Sequence, residues 1–368
     1  MKKIVLTGGH AATTAIAVVE EIIRRYQDKP LEIYWIGVKN AFEGREIPTL
    51  ESVHFSKLGI KTYFIRMGRL QRRFTLWTIP SLLKIPFGLL HALYLVIKTR
   101  PDVIVSFGGF AAFPVVLAGK FLGIPSLLHE QTAAAGRANL FSLPFVNKVA
   151  LARKESIKYF GSSKSVVVGN PVMTQILEVP AKEKMSKIPV LFVTGGSRGS
   201  QVVNEALKPI LKNLLEKFYV IHQTGLIDYP DFKKLKEKLS SELASRYEVY
   251  SLIDPMQIDG VYRRADMIVA RAGANTVAEI MVVKRPAILI PIPFSYLDEQ
   301  TKNAILAKKF GIAKVLKQDE LSSKRLFEEI EDIYLNWEVY VRKSRDKISP
   351  DINAASNFVD LVEKVAHG

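Results

Sequence analysis

One stretch of the chain, residues 271–300, combines residue types that could bind a nucleotide phosphate. It contains a tight turn at residues 272–274, after which Asn275 or Thr276 can cap a helix that runs to about Val283. The proline-bounded apolar run that follows predicts a strand buried on both faces. Because a helix N-terminus carries free backbone N–H groups and the positive end of the helix dipole, the turn predicts a seat for a phosphate or diphosphate.

Glu279 lies on the same predicted helix and allows two interpretations. Its carboxylate could accept two hydrogen bonds from the diol of a ribose. The pattern T-x-x-E from Thr276 to Glu279 is equally that of a capping box, which needs no ligand. The spacing alone leaves both interpretations open.

Strands and helices alternate along both halves of the chain. The first half opens on a strand, the turn Thr7-Gly8-Gly9 and a helix over 11–25, and the second half restarts the pattern at 189–207. This alternation predicts α/β architecture, with two Rossmann-like domains whose parallel sheets face a central cleft. Ligands of such sheets collect at the carboxyl ends of the strands. A polar, lysine-rich segment, residues 179–189, is the predicted linker between an N-terminal domain, 1–178, and a C-terminal domain, 190–345. The last residues, 346–368, are predicted to form a helical segment that packs back on the first domain.

The composition excludes several kinds of site. The chain has no cysteine, which rules out disulfides, thiol catalysis and cysteine-bound zinc, and its six histidines show no metal-ligand spacing. The first residues lead directly into a strand, so we expect no secretory signal and a cytoplasmic location. The net charge of +16 predicts an anionic partner.

The positive charge is concentrated beside apolar residues. Residues 57–100 contain nine Lys or Arg and no Asp or Glu, together with a long apolar run broken by Pro80, Pro86 and Gly88. The run is too interrupted for a spanning helix. Basic residues beside apolar ones favour contact of residues 66–98 with an anionic membrane surface. The alternative is an ordinary buried helix over 82–98 with basic ends. No base-stacking or groove-entering motif is present, so no nucleic-acid partner is expected.

Several motifs, taken in chain order, resemble those of the MurG-type glycosyltransferases. The motifs are VLTGGH, SFGGF, LHEQ, VGNPV, GGSRG and RAGANTVAE followed by LDEQTKNA, and the resemblance covers roughly residues 1–310. Enzymes of this family move N-acetylglucosamine from UDP-GlcNAc to a lipid-linked muramyl-pentapeptide in peptidoglycan synthesis. The resemblance implies the GT-B architecture, a UDP-sugar donor, an undecaprenyl-diphosphate-linked muramyl-pentapeptide acceptor, no cofactor, and a peripheral place on the cytoplasmic side of the cell membrane.

The resemblance also implies which residues bind the substrates. It places Thr7, Gly8 and Gly9 at the face where donor and acceptor meet, Ser197 near the diphosphate, and the backbone of Ile253 at uracil. Gln300 corresponds to a side chain that reads sugar hydroxyls, and Arg271 is a possible added charge at the diphosphate. The segment that corresponds to the phosphate and ribose site is Ala274, Asn275, Thr276, Val277, Ala278 and Glu279.

The implied reaction is a displacement at the anomeric carbon that inverts it while one acceptor hydroxyl loses its proton. His10 is the first candidate for the base, although it could instead orient the diphosphate or cap the helix. Glu130 is the second candidate, although His129 and Glu130 could instead hold their loop by buried hydrogen bonds. The chain has no D-x-D pair, so we expect no obligatory metal.

Two positions depart from the family pattern. Thr132 stands where the family usually has asparagine, and Met173 stands where it usually has arginine. Both positions belong to the sugar and acceptor part of the implied site. They leave open two alternatives, which are a related GT-B glycosyltransferase with a different sugar or lipid acceptor and a non-catalytic nucleotide-sugar binder.

Overall fold

The computed structural model describes residues 1–9, 12–42, 45–65 and 78–368. The chain forms two compact units, one of residues 1–173 with 350–368 and the other of residues 174–349. Each unit is built on a parallel sheet whose consecutive strands are joined largely through helices, which confirms the predicted α/β class with two Rossmann-like sheets. The segment 179–189 has neither helix nor strand and is tied to the second unit by Lys182 Nζ, 2.8 Å from Asp266 Oδ1. The predicted domain bounds and the linker role stay predictions.

The first unit contains a seven-stranded parallel sheet and a short antiparallel hairpin. Its strands are β1 (Lys3–Thr7), β2 (Glu32–Gly37), β3 (Asn40–Phe42), β4 (Arg45–Pro48), β5 (Lys61–Phe64), β6 (Val103–Ser106), β7 (Ser126–Glu130), β8 (Lys148–Leu151) and β9 (Ser165–Val167). The sheet order is β5-β2-β1-β6-β7-β8-β9, and β3 pairs with β4. Strand β1 is central, so its apolar residues Ile4 to Leu6 are fully buried on both faces.

The helices of the first unit lie between its strands. They are α1 (Ala12–Tyr26), α2 (Leu50–Lys57), α3 (Thr78–Thr99), α4 (Ala112–Phe121), α5 (Arg137–Ser142) and α6 (Ile157–Phe160). Helix α3 is continuous across Pro86, although the prolines of this region had suggested interruption. Among the residues that the structure describes, every helix falls short of the length and apolarity that a membrane crossing requires.

The second unit contains a six-stranded parallel sheet in the order β12-β11-β10-β13-β14-β15. Its strands are β10 (Val190–Thr194), β11 (Tyr219–Gln223), β12 (Tyr247–Tyr250), β13 (Met267–Ala270), β14 (Ala287–Leu289) and β15 (Ala313–Val315). Strand β14 is the buried strand predicted after the turn at 272–274. It ends at residue 289, two residues before the end of the apolar run 287–291. Because β10, β11 and β13 are neighbours, the loops that follow them meet at one edge of the sheet.

The remaining helices complete the second unit and close the chain. They are α7 (Thr174–Leu177), α8 (Gln201–Leu207), α9 (Leu211–Lys217), α10 (Tyr229–Glu237), α11 (Ser241–Ser245), α12 (Ile258–Arg264), α13 (Ala274–Val283), α14 (Glu299–Phe310), α15 (Ser323–Leu335), α16 (Trp337–Arg345) and α17 (Ala354–His367). Helix α17 belongs to the first unit, where it packs on α1 and on strands β6, β7 and β8. Arg153 and Asp351 form a buried bidentate pair at its base, with 2.7 Å between Nη2 and Oδ2.

Candidate functional site

The turn Thr7-Gly8-Gly9 follows β1 and lies against the glycine pair that follows β6. The Gly9 N–H donates to the Gly108 carbonyl oxygen at 3.0 Å. A Cβ on Gly8 would come within 3.1 Å of both Phe107 and Trp35, so any larger residue would have to push these two side chains aside. The buried Thr7 hydroxyl has no hydrogen-bond partner within the described part of the chain. His10 lies outside the described residues, so its predicted role as the base stays a prediction.

Glu130 ends β7 and organises the loop that follows it. Its Oε1 accepts from the Thr132 N–H at 3.0 Å and from the Thr132 hydroxyl at 2.8 Å. Its Oε2 accepts from the Gly136 N–H at 2.7 Å and from Asn139 Nδ2 at 2.9 Å. The side chain is 2% exposed. These bonds match the alternative interpretation of Glu130, in which its carboxylate holds the loop, and they occupy the oxygens that a general base needs free.

Three further candidate residues in this unit are held by hydrogen bonds within the protein or are buried. The Thr132 hydroxyl accepts from the Ala134 N–H at 3.2 Å in addition to its bond to Glu130. Met173 is 1% exposed, so its thioether lies inside the protein. His129 is fully buried, and desolvation lowers the pKa of its imidazole to about 3, so the ring is neutral at pH 7.

In the second unit, the glycine turn at residues 195–199 joins β10 to α8. Gly196 and Gly199 have φ angles of 81° and 76°. A Cβ on Gly199 would overlap the carbonyl of Thr224, so only glycine allows the two loops to approach. Ser197 lies exposed in this turn, where its side chain is open to a ligand.

Helix α13 begins directly from the neighbouring turn. Its N-cap residue is Gly273, with φ −63° and ψ 149°, and Asn275 and Thr276 lie inside the first turn. The prediction that Asn275 or Thr276 caps this helix is therefore wrong, and so is the capping-box interpretation of Thr276 and Glu279. The extended backbone of Gly273 lets the chain enter the helix two or three residues earlier than predicted. Because glycine has no side chain to accept from the first N–H groups, this helix end keeps the character of an anion site.

Arg271 places a buried positive charge beside these two turns. Its side chain is 8% exposed, and burial lowers the pKa of the guanidinium. Nε donates to Ser200 Oγ at 2.8 Å, and Nη1 donates to the Ile290 carbonyl oxygen at 3.1 Å. Both partners are neutral, and within the described ranges no carboxylate pairs with Arg271. A buried guanidinium with only neutral partners strongly favours the arrival of an anion.

Glu279 lies in the second turn of α13, and its environment perturbs its charge. The Tyr262 hydroxyl, on α12, donates to Glu279 Oε2 at 2.7 Å. Desolvation raises the pKa of the Glu279 carboxyl to about 7, against the lowering effect of the Tyr262 bond. The side chain keeps partial exposure, so a ligand can reach it. Val277 and Ala278, in contrast, are buried.

Ile253 and Gln300 are both held by bonds that the sequence did not predict. The Ile253 N–H donates to Gln223 Oε1 at 2.9 Å. Gln300 Oε1 accepts from the Ile292 N–H at 3.1 Å. Its Nε2 has no hydrogen-bond partner among the described residues, so it is free to donate to a hydroxyl of a ligand. The sequence did not indicate Gln223 or Tyr262 as site residues, because both contact partners that are far away in the sequence. The one available signal was the position of Gln223 at the carboxyl end of a predicted strand.

Comparison with known proteins identifies the family. The family models described as glycosyltransferase family 28 N-terminal domain and C-terminal domain match residues 7–151 and 190–364. A protein of Clostridium botulinum strain Langeland, named UDP-N-acetylglucosamine--N-acetylmuramyl-(pentapeptide) pyrophosphoryl-undecaprenol N-acetylglucosamine transferase, is 31% identical over 99% of both chains. The chain belongs to the MurG-type glycosyltransferases of family 28. A Clostridium perfringens strain 13 protein of the same name is 32% identical over 99% of both chains.

A solved MurG-type structure supports the same assignment. The crystal structure of Acinetobacter baumannii MurG is 25% identical and has a TM-score of 0.68, covering 99% of this chain and 100% of that one. The resemblance read from the motifs is thus confirmed, together with the class of enzyme. The MurG-type assignment does not by itself test the role of any single residue.

Proposed function

We propose that this enzyme transfers N-acetylglucosamine from UDP-GlcNAc to an undecaprenyl-diphosphate-linked muramyl-pentapeptide. The proposal rests on the edge of the second sheet, where buried Arg271, the N-terminus of α13 and the glycine turn at 195–199 come together. All three favour negative charge, as a nucleoside diphosphate requires. The family relatives carry this activity in their names.

In the donor complex, the diphosphate lies between Ser197 and the first turn of α13, with Arg271 stabilising the charge that develops on the leaving UDP. Glu279 accepts from the ribose hydroxyls, one helical turn further from the diphosphate. Gln300 donates its free amide to a hydroxyl of the sugar. This arrangement stabilises the leaving group without a metal ion.

We infer that His10 takes the proton of the acceptor hydroxyl. The candidates were His10 and Glu130, and the oxygens of Glu130 already accept from Thr132, Gly136 and Asn139. Glu130 is therefore a positioning residue that shapes the loop after β7. Thr7, Gly8 and Gly9, which form the turn that leads into His10, are proposed substrate-binding residues.

We also propose that the enzyme sits on the cytoplasmic face of the cell membrane and serves peptidoglycan synthesis and, through it, cell shape and division. Four apolar residues of α3 are exposed at helical spacing. Their relative solvent exposures are 71% for Phe87, 65% for Leu90, 58% for Tyr94 and 49% for Ile97. They share one face of the helix, and exposed Lys98 and Arg100 follow them. An apolar face with basic residues suits anionic lipid headgroups.

The reaction is tested by incubating the protein with labelled UDP-GlcNAc and the lipid-linked muramyl-pentapeptide in detergent and following UDP release. Turnover with this pair is the expected result. Turnover only with another sugar or lipid would replace the proposal with the related-transferase alternative, which the family departures at Thr132 and Met173 leave open. Binding without turnover would instead indicate a nucleotide-sugar binder. An Arg271→Met variant should lose donor affinity, whereas Arg263→Met, at an exposed arginine of the same unit, should not.

The membrane surface is tested by co-sedimentation with vesicles of phosphatidylglycerol. We expect Phe87→Glu and Leu90→Glu together to release the protein from the vesicles. Ile23→Glu, at a 45% exposed apolar residue on α1, is the matched control and should leave binding unchanged. Equal binding of all three proteins would refute the α3 surface.

A further inference from the structure

The side chain of Gln223 joins the two loops that the proposed donor site uses. Gln223 ends β11 and is 6% exposed. Its Nε2 donates to the Gly196 carbonyl oxygen at 2.9 Å and to Thr194 Oγ1 at 3.2 Å. Its Oε1 accepts from the Ile253 N–H at 2.9 Å. One carboxamide thus bonds the glycine turn on one side and the loop after β12 on the other.

These bonds decide which backbone group of Ile253 can meet a base. The N–H is already used by Gln223, whereas the carbonyl oxygen accepts no hydrogen bond within the described residues. The carbonyl is held on both sides. The Ile253 N–H is bonded to Gln223, and the next residue, Asp254, caps a short turn through a 3.0 Å bond from the Met256 N–H. A fixed free acceptor pairs with the N3–H of uracil and not with N3 of cytosine, which is itself an acceptor.

We propose that Gln223 is a positioning residue that holds the Ile253 carbonyl for the base and ties it to the turn that receives the diphosphate. Losing its amide frees the Ile253 N–H and removes one of the three bonds that hold Gly196, the others being to Thr194 Oγ1 and from the Gly199 N–H. Base discrimination and diphosphate affinity are therefore coupled through one side chain. The inference rests on the proposed function, because it takes a uridine diphosphate as the ligand of this edge.

Two substitutions separate the two halves of the carboxamide. Gln223→Met has a similar shape and makes none of the three bonds. Gln223→Glu keeps an acceptor for the Ile253 N–H and loses the donor to Gly196. Gln318→Met, on the far side of the sheet after edge strand β15, is the matched control.

The measurements are hydrogen exchange of the Ile253 amide in the ligand-free protein and the dissociation constants of UDP and CDP. In Gln223→Met we expect faster exchange, UDP binding weaker by about tenfold, and a smaller change for CDP, so that the preference for UDP shrinks. In Gln223→Glu we expect slow exchange and retained preference at lower affinity for both nucleotides. Gln318→Met should match the wild type in every measurement.

An unchanged ratio of CDP to UDP affinity in folded Gln223→Met would overturn the inference, as would unchanged exchange of the Ile253 amide. If Gln223→Met does not fold, Gln223→Glu decides: retained preference at lowered affinity for both nucleotides supports the inference, and either lost preference or unchanged affinity overturns it. A wild-type protein that binds no UDP would refute the proposed function and the inference with it. That outcome is distinguishable, because slow Ile253 exchange in the wild type needs no nucleotide.

Discussion

Donor affinity should depend on pH because Glu279 is held near the point of half-ionisation. Burial raises the pKa of its carboxyl to about 7, while the Tyr262 hydroxyl limits the rise. A ribose diol donates two hydrogen bonds, and only the ionised carboxylate accepts both without giving up an oxygen to its own proton. The ionised form is therefore the form that binds the donor.

The size of the effect follows from the ionised fraction. With a pKa of about 7, the carboxylate is ionised in about 9% of molecules at pH 6 and about 91% at pH 8. The apparent dissociation constant varies inversely with this fraction, so it should fall about tenfold between pH 6 and pH 8. That change corresponds to about 1.4 kcal/mol of binding free energy.

The assay is calorimetric titration with UDP-GlcNAc, whose doubly esterified diphosphate does not itself titrate in this range, as a terminal phosphate would. Glu279→Gln should bind more weakly and show no dependence on pH. Tyr262→Phe removes the bond that lowers the Glu279 pKa, so its profile should move to higher pH. A wild-type profile that is flat between pH 6 and 8, or one that Glu279→Gln leaves unchanged, would refute ribose binding by an ionisable Glu279.

Two further predictions concern stability. His222 is buried with its pKa lowered to about 3 by desolvation, so the stability it contributes is full above about pH 6.5 and is lost as pH falls towards 3; by linkage we expect it to account for a loss of about 2 kcal/mol by pH 5. Buried His129, whose pKa is lowered in the same way, adds its own loss in both proteins, so urea unfolding should show a loss that is smaller by about 2 kcal/mol in His222→Gln than in the wild type. Asp351→Asn should lower the free energy of unfolding of the first unit by about 3–5 kcal/mol, because it breaks a buried ion pair with Arg153. Asp360→Asn, in a half-exposed ion pair with Arg25, is the control and should change that free energy by about 1 kcal/mol or less in the same urea unfolding measurement.

The sequence was sufficient for the parts of the fold that local patterns determine. Apolar runs, such as the one that became β1, and glycine turns after strands predicted the parallel sheets. Helix α13 was placed correctly, but its start was wrong because the preference of Asn275 and Thr276 for capping positions lost to the extended backbone of Gly273. A propensity for capping says which residues can cap, while the path of the preceding strand decides which one does.

Contacts between distant segments could not be read from the sequence. Gln223 meets Ile253 because β11 and β12 are neighbours in the sheet, and Tyr262 meets Glu279 because the fold brings α12 and α13 together. The role of Glu130 could not be decided from the sequence either. Its sequence context allowed both a base and a loop anchor, and only the four donors around its carboxylate favour the anchor.

The two acidic residues of the proposed site illustrate how burial alone does not decide a role. Glu130 and Glu279 both follow motifs of the same family and both lie in protected surroundings. The oxygens of Glu130 accept from two backbone N–H groups, a hydroxyl and an amide, so a ligand could replace none of these donors without unfolding the loop. Within the described residues, Glu279 accepts from one donor, the Tyr262 hydroxyl, and it keeps partial exposure, so its remaining acceptor sites are available to hydroxyls from outside. The number of protein donors that each carboxylate already accepts from, together with its remaining exposure, separates the carboxylate that holds a loop from the one that can bind a substrate.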